Sequence, residues 1–153
     1  MIEKFAGQCS ELTERILACA YDVHARLGPG LLESAYAACL VHSLRQLGLQ
    51  VETEVPIGIE FDELVVPTAY RADVIVERAV LLELKATERL LAVHCAQART
   101  YLRHSRAEVA LLLNFNVARL SNGIRRFERR SAWNVASGDP PRTPILPVLP
   151  TAL

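Results

Sequence analysis

The sequence predicts an α/β fold in which helices flank a mixed β-sheet. Apolar residues recur at helical spacing near the N-terminus and again around residue 100, whereas the segments between them have strand-like patterns. One continuous apolar run, Val109–Phe115, has the length and composition of a strand that is buried on both faces. Hydrophobic residues make up 51% of the chain and aromatic residues only 6%, which is typical of an aliphatic α/β core. The predicted order of elements is α, α, β, β, β, α, β, β.

Two helices are predicted first. Ser10 is the expected N-cap of a helix that runs to about Leu27, where Gly28-Pro29-Gly30 ends it. A second helix is predicted from about Leu31 to Leu47, with Gly48 as its C-terminal cap. The apolar stripes of the two helices are Leu12, Ile16, Ala20, Val23 and Leu27, and Leu32, Tyr36, Leu40, Leu44 and Leu47.

The remaining elements are five strands and one helix. The strands are predicted over Val51–Phe61, Leu64–Glu77, Val80–Ala86, Val109–Phe115 and Ile124–Arg130. The helix is predicted from about Leu90 to His104. Pro67 is expected to interrupt the second strand, and the last strand is expected at an edge of the sheet.

At 153 residues the chain fits one domain, residues 1–130, that is large enough to bury a core. Residues 131–153 contain five prolines and no periodicity. This composition predicts an extended, mobile tail. Alternatively, its apolar residues dock on a partner or on a second copy of the chain.

Charge and cysteine content restrict the functional classes. Lys plus Arg and Asp plus Glu number 17 each, so any nucleic-acid binding must come from a local patch rather than from the overall charge. The cysteines show no C-x-x-C spacing, which predicts reduced, buried thiols in a cytoplasmic protein; they are Cys9, Cys19, Cys39 and Cys95. No signal peptide and no membrane-spanning run are expected.

The most informative segment places Asp73, Glu83 and Lys85 within a predicted β-hairpin. If Val76 pairs with Val80 across a loop of about three residues, Asp73 lies opposite Glu83. Period-two alternation then puts Lys85 on the same face as Glu83. A bulge in the turn would shift this register by one residue.

Two carboxylates on directly opposed residues of a hairpin are close enough to repel each other unless a cation lies between them. Mg²⁺ typically takes one or two protein carboxylates together with water and phosphate oxygens. The neighbouring lysine suits a phosphate or a nucleophilic water, and the implied chemistry is metal-assisted phosphodiester hydrolysis. The alternative is the solvated outer face of an amphipathic hairpin, where Glu and Lys at i and i+2 are common.

Four motifs in order resemble the GxxExxY protein family, which belongs to the PD-(D/E)XK nuclease-like superfamily. They are Gly30-Leu31-Leu32-Glu33-Ser34-Ala35-Tyr36, Gln97-Ala98-Arg99-Thr100-Tyr101, Leu112-Leu113-Asn114-Phe115-Asn116 and Gly123-Ile124-Arg125-Arg126. The resemblance extends from about Glu11 to Arg126, and it implies a restriction-endonuclease-like core.

The resemblance implies a role for each matching residue of the site. Asp73 and Glu83 would bind the metal ion, Mg²⁺ or Mn²⁺, together with the backbone carbonyl of Leu84. Lys85 would position or activate the attacking water and stabilise negative charge. Glu33, in the first turn of its helix, would complete the metal site, although a glutamate is also favoured there by the helix dipole alone.

Further candidates support the site or contact nucleic acid. Gln97 and Tyr101 resemble the Q-x-x-x-Y of RecB-type exonucleases, and their i, i+4 spacing puts them on one helix face. The proline that names the superfamily is absent, because Ala72 precedes Asp73; members vary at this position.

Other nucleic-acid contacts are predicted outside these motifs. His24 is expected near a phosphate at the glycine turn, and Tyr36 is a further candidate, although both residues also suit a structural role. Phosphate contact is expected from Arg125 and Arg126, in a basic patch shared with Arg129 and Arg130. The competing explanation for these arginines is a charged edge strand that resists aggregation.

The sequence therefore favours a Mg²⁺- or Mn²⁺-dependent nuclease that acts on nucleic acid, DNA rather than RNA. One alternative is a catalytically silent nucleic-acid-binding or regulatory module with the same fold. Another is an assembly subunit that acts through its tail and sheet edge. A homodimer would help a domain of this size to grip a duplex.

Overall fold

A computed structural model describes residues 2–129, with side chains from Cys9 onward. The predicted order of helices and strands is confirmed, and one short 3₁₀ helix is added before the last strand. The elements are α1 (Ile2–Leu27), α2 (Glu33–Gln46), β1 (Val51–Phe61), β2 (Leu64–Val76), β3 (Val80–Lys85), α3 (Ala92–His104), β4 (Val109–Asn114), the 3₁₀ helix (Leu120–Gly123) and β5 (Ile124–Glu128). The predicted tail, residues 131–153, lies outside the described residues.

The five strands form one mixed sheet in the order β1-β2-β3-β4-β5. Only β3 and β4 are parallel, because the chain crosses between them through α3; the other neighbouring pairs are antiparallel. Helices α1 and α2 cover one face of the sheet and α3 covers the other. Every residue of β4 is buried, and β5 lies at an edge, as the sequence predicts. The central strands β3 and β4 are therefore covered on both faces.

Helix α1 differs from its prediction at the N-terminus. It begins at Ile2, so the prediction of an N-cap at Ser10 is wrong. The residues before Ser10 include no proline, and a serine inside a helix costs less than about 0.7 kcal/mol. Although Gly7 costs about 1 kcal/mol within a helix, no proline ends the helix between Ile2 and Ser10.

The C-terminal boundary of α2 is set by Gly48. Gly48 has a φ of 77° and its N–H donates to the Arg45 carbonyl, which confirms the predicted C-terminal cap. Helix α2 begins at Glu33 rather than at Leu31. Leu32 consequently lies outside the buried stripe and is 76% exposed.

Strand β2 continues through Pro67, contrary to the prediction of an interruption. The pairing register of β1 and β2 shifts between Ile57 and Ile59, and Pro67 lies in that bulge, where its missing N–H costs no ladder bond. Gly58 occupies the opposite strand, and a Cβ there would lie 3.0 Å from the Val66 carbonyl oxygen. The close approach of the two backbones explains the glycine.

The cysteines of the described residues are free thiols, as predicted. Cys19 is buried, but Cys39 is exposed on α2 and Cys9 and Cys95 are partly exposed. The prediction of burial is therefore wrong for Cys39, because this residue lies on the solvent-facing side of α2 and not in its buried stripe. Within residues 2–129, none of the helices combines the length and the hydrophobicity that a bilayer span requires.

Tyr36 ties the glycine turn between α1 and α2 to the core. Its side chain is fully buried and stacks on Phe115 with ring centroids 4.7 Å apart. Its hydroxyl donates to the Gly28 carbonyl and accepts the Leu31 N–H at 3.2 Å. The turn that precedes Glu33 is thus fixed by this one side chain.

Replacing Tyr36 with phenylalanine is expected to lower the free energy of unfolding by about 1–2 kcal/mol, because a backbone donor and a backbone acceptor lose their partner. Urea denaturation of the variant measures this loss. Tyr21, which is 44% exposed on α1, provides the matched control, and Tyr21→Phe is expected to change stability by less than about 0.5 kcal/mol. Equal stability of the Tyr36 variant and the parent would contradict the role of the hydroxyl.

Candidate active site

The β2–β3 hairpin has the register that the sequence predicts. Val76 pairs with Val80, and the ladder extends to Val74 and Leu82. The turn between the strands places Glu77 and Arg78 in the left-handed region, with φ of 51° and 55°, as the twist of a tight hairpin requires. Beyond Val74 the backbone ladder between β2 and β3 ends.

Asp73 lies where this ladder ends. Its Oδ2 accepts the Leu84 N–H at 2.8 Å, so the carboxylate takes the place of a backbone partner for β3. The side chain is half-buried. Burial raises the pKa of Asp73, while the Leu84 N–H and the Lys85 charge oppose this rise. The hydrogen bond fixes one carboxylate oxygen against the strand that carries Glu83.

Glu83 is more deeply buried than Asp73 or Glu33, with only 4% of the residue exposed. Its Oε1 accepts from Lys85 Nζ at 2.8 Å, but its Oε2 is buried without a hydrogen-bond partner. Burial raises the pKa of Glu83 to about 7, and the nearby Asp73 adds to this rise against the opposing hydrogen bond from Lys85. A buried carboxyl oxygen without a partner is costly for the fold, which indicates a site rather than a stabilising ion pair.

Lys85 is the cation of this group. Its side chain is 16% exposed. Burial alone would lower the pKa of Lys85, but the hydrogen bond and the charge of Glu83 raise it. The ammonium group therefore stays protonated next to the two carboxyl groups.

Glu33 approaches from the other side of the sheet. As the first residue of α2, it lines a cavity of about 240 Å³ together with Asp73 and Leu84. Its charge contributes to the raised pKa of both Asp73 and Glu83. The structure thus brings Asp73, Glu83 and Lys85 together and places Glu33 in the cavity beside Asp73.

Glu54 is an acidic residue of the same cavity that sequence reasoning missed. It lies in β1 opposite Asp73, between the pairs Thr53–Val74 and Val55–Ala72, and it lines the cavity with Glu33. Its φ of 51° is unusual for a non-glycine residue inside a strand. In the sequence it follows an ordinary strand pattern, and no local signal marks the left-handed conformation.

Tyr101 and Gln97 lie on α3, on the opposite face from Glu33. The Tyr101 ring stacks on Tyr70 with centroids 3.9 Å apart, and the Tyr70 hydroxyl donates to the Tyr101 carbonyl at 2.9 Å. Burial and the charge of Glu83 raise the pKa of Tyr101, which places its hydroxyl within electrostatic reach of the site. Gln97 is half-buried one helical turn earlier.

A family model of the PD-(D/E)XK nuclease superfamily matches residues 10–127. The chain belongs to this superfamily. No curated protein and no solved structure gives a significant match. The resemblance to the narrower GxxExxY family therefore rests on the motifs in the sequence.

The donor set of this PD-(D/E)XK protein fits a divalent cation by its chemistry. Asp73 and the unpartnered Oε2 of Glu83 offer hard oxygen ligands, and Mg²⁺ needs only one or two protein carboxylates. Among residues 2–129, no three His, Cys, Asp or Glu side chains are arranged closely enough to hold a metal ion on their own. Water and substrate oxygens would have to supply the remaining ligands.

Two residues predicted to contact nucleic acid, His24 and Tyr36, are buried and hydrogen-bonded within the protein. His24 is buried, and its Nε2 donates to the Val117 carbonyl at 2.7 Å. Tyr36 is fully buried and satisfies the glycine turn. We therefore leave both residues out of the nucleic-acid surface considered below.

The arginines of the predicted basic patch have different hydrogen-bond partners in the structure. Arg126 pairs with Glu128 at 2.7 Å, and Arg129 donates to the carbonyls of Leu102 and Ser105 at the end of α3. Arg125 is exposed and bonds only to nearby backbone carbonyls in the part of the chain that the structure describes. Arg125 is accordingly the best placed of the three for contact with a phosphate.

Proposed function

We propose that the chain is a Mg²⁺- or Mn²⁺-dependent nuclease that hydrolyses phosphodiester bonds in nucleic acid, with DNA as the preferred substrate. The observation that supports this proposal most is the buried Oε2 of Glu83, which lacks a partner beside Asp73 and Lys85. Membership of the PD-(D/E)XK nuclease superfamily supports the same chemistry.

In this proposal Asp73, Glu83 and the Leu84 carbonyl hold the cation, and Glu33 completes its surroundings from α2. A bound divalent cation lowers the pKa of water and offsets the charge of the scissile phosphate. Asp73 is oriented for this role by the Leu84 N–H. Glu83 is oriented by Lys85, so each carboxylate keeps one oxygen for the protein and one for the cation.

Lys85 supplies a fixed positive charge where negative charge develops on the phosphate. Its ammonium is held by Glu83 and shielded from water, and a preorganised donor in such a site stabilises the transition state more than it does in water. Tyr101 and Gln97 would support the substrate from α3.

Arg125 would extend the substrate path across the sheet. Glu83 pairs with Leu112 on β4, and Leu112 pairs with Arg125 on β5. These three residues form one row across three strands. At about 4.8 Å per strand, the Arg125 backbone lies roughly 10 Å from that of Glu83. A phosphate beyond the scissile one would lie within reach of this side chain.

The proposal is tested by incubating the purified chain with single- and double-stranded DNA and RNA, in Mg²⁺, Mn²⁺ or EDTA. The matched variant is Asp73→Asn, which retains an oxygen for the Leu84 N–H but loses the charge. We expect cleavage that requires the metal and that falls at least about a hundredfold in the variant, the scale of losses at supporting metal-site positions.

Cleavage that persists in EDTA or in the Asp73 variant would contradict the proposed site. Binding without cleavage under every metal condition would instead support the catalytically silent module. Preference for DNA over RNA and a homodimeric state stay predictions that the same assay and the mass of the protein in solution check.

A further inference from the structure

Both helices that flank the candidate site begin with an exposed leucine. Leu32 is the N-cap of α2 and Leu91 is the N-cap of α3, and neither makes a side-chain capping bond to a backbone amide. Ser, Thr, Asp and Asn stabilise this position, whereas leucine gives up that stabilisation. At α3 the His94 ring accepts the Leu91 N–H at 3.0 Å, whereas α2 has no side-chain cap.

The exposure of these side chains is large. Leu32 is 76% exposed and Leu91 is 46% exposed. Each has a further exposed apolar neighbour, Leu31 at 42% and Val93 at 54%. We call these four residues the apolar rim.

The two halves of the apolar rim lie at the starts of α2 and α3, on opposite faces of the sheet. Leu32 directly precedes Glu33, which lines the cavity with Asp73. Leu91 ends the loop that leaves β3 after Lys85. The start of that loop is fixed by Asn114, the residue of β4 that lies opposite Lys85. The Asn114 side chain accepts a hydrogen bond from the Thr87 N–H and donates one to the Thr87 carbonyl. Ligands of α/β sheets commonly bind at the carboxyl ends of strands, as here.

Charge indicates what the rim contacts. The formal net charge of the chain is zero, so the overall charge adds little phosphate attraction to that of local groups such as Lys85 and Arg125. Apolar side chains contact nucleic acid by packing against or between bases. Bases offer these faces freely only where they are unpaired.

We infer that the apolar rim holds unpaired bases of the substrate beside the scissile phosphate, so that the nuclease prefers single-stranded or locally unpaired nucleic acid to a continuous duplex. This inference rests on the proposed function, and it adds the substrate class and the residues that select it. Apolar contact with bases replaces the missing net positive charge as the source of affinity.

The test measures binding in EDTA, so that no turnover is needed. Fluorescence anisotropy compares a labelled single-stranded DNA oligonucleotide with the blunt duplex of the same sequence, for the full chain and for Leu32→Ser. The matched control is Leu47→Ser, because Leu47 is 48% exposed at the opposite end of α2. Thermal unfolding of each variant is measured in parallel.

We expect the parent to bind the single strand more tightly than the duplex. Leu32→Ser is expected to weaken single-strand binding about fivefold, as fits the loss of one apolar contact. The same variant should unfold at an equal or higher temperature, since serine is the better N-cap. Leu47→Ser should bind like the parent.

Preference for the duplex, absence of binding by the parent, unchanged binding by Leu32→Ser, or an equal loss in Leu47→Ser would each overturn the inference. Failure of the nuclease proposal gives a different result, namely no metal-dependent cleavage while single-strand binding stays sensitive to Leu32. Metal-dependent cleavage together with binding that is insensitive to Leu32 rejects the apolar rim alone.

Discussion

Replacing Lys85 with alanine is expected to reduce metal-dependent cleavage by about 10²- to 10³-fold, the scale of losing one preorganised charged donor. The ammonium lies 2.8 Å from Glu83 Oε1, and its charge acts on both Asp73 and Glu83. Single-turnover cleavage at saturating protein measures the loss without a contribution from substrate affinity.

The control for Lys85→Ala is Arg89→Ala, because Arg89 is exposed and follows four residues later in the loop. We expect the control to keep its cleavage rate. Circular dichroism of both variants verifies that the sheet is intact. A Lys85 variant that cleaves at the parental rate would exclude the lysine from the reaction.

The second large effect is a dependence of stability on pH that comes from Glu83. The pKa of Glu83 is about 7 in the folded chain, above the ordinary pKa of 4.5 for a free glutamate. The folded state therefore holds a proton that the unfolded state releases between these two values. The stabilisation is complete below about pH 4.5 and is lost as the pH rises through about 7.

Urea denaturation of the parent and of Glu83→Gln across this pH range isolates the contribution, because the other titrating groups are common to both proteins. The free-energy difference between the two proteins should change by on the order of 3 kcal/mol from pH 4.5 to above pH 7, with the parent losing stability relative to the variant. Parallel curves would show that Glu83 has an ordinary pKa. Added Mg²⁺ should restore stability to the parent above pH 7 and have less effect on the variant.

Much of the fold is predictable from the sequence because its signals are local. The apolar run of β4 and the period-two pattern around the β2–β3 turn define the strands, and the pairing of Val76 with Val80 follows from a three-residue loop. The observed pairing ends at Val74 and Leu82, and beyond it the Asp73 side chain accepts the Leu84 N–H. Side-chain alternation therefore predicts that Asp73 and Glu83 lie near each other, but it does not predict the contact of Asp73 with the Leu84 N–H.

Other features depend on tertiary contacts that no local pattern encodes. The left-handed conformation of Glu54 arises where β1 passes Asp73. The burial of His24 depends on the Val117 carbonyl, which lies far along the chain. Leu32 continues the helical spacing of a buried stripe, yet α2 begins one residue later and leaves it exposed. For Glu54 and His24 the decisive partner is distant in sequence, whereas for Leu32 the exact start of the helix is decisive.

Because few residues of β2 pair with β3, Asp73 and Glu83 belong to parts of the sheet that differ in local stability. Strand β2 is paired with β1 along most of its length but with β3 only from Val74 to Val76. Asp73 belongs to the β1–β2 ribbon, whereas Glu83 belongs to the central strand β3. Transient opening of the ribbon would therefore dismantle the site without unfolding the core. Amide hydrogen exchange should show this as faster exchange in β2 than in β3 and β4, and the fraction of time spent closed sets the upper limit of activity.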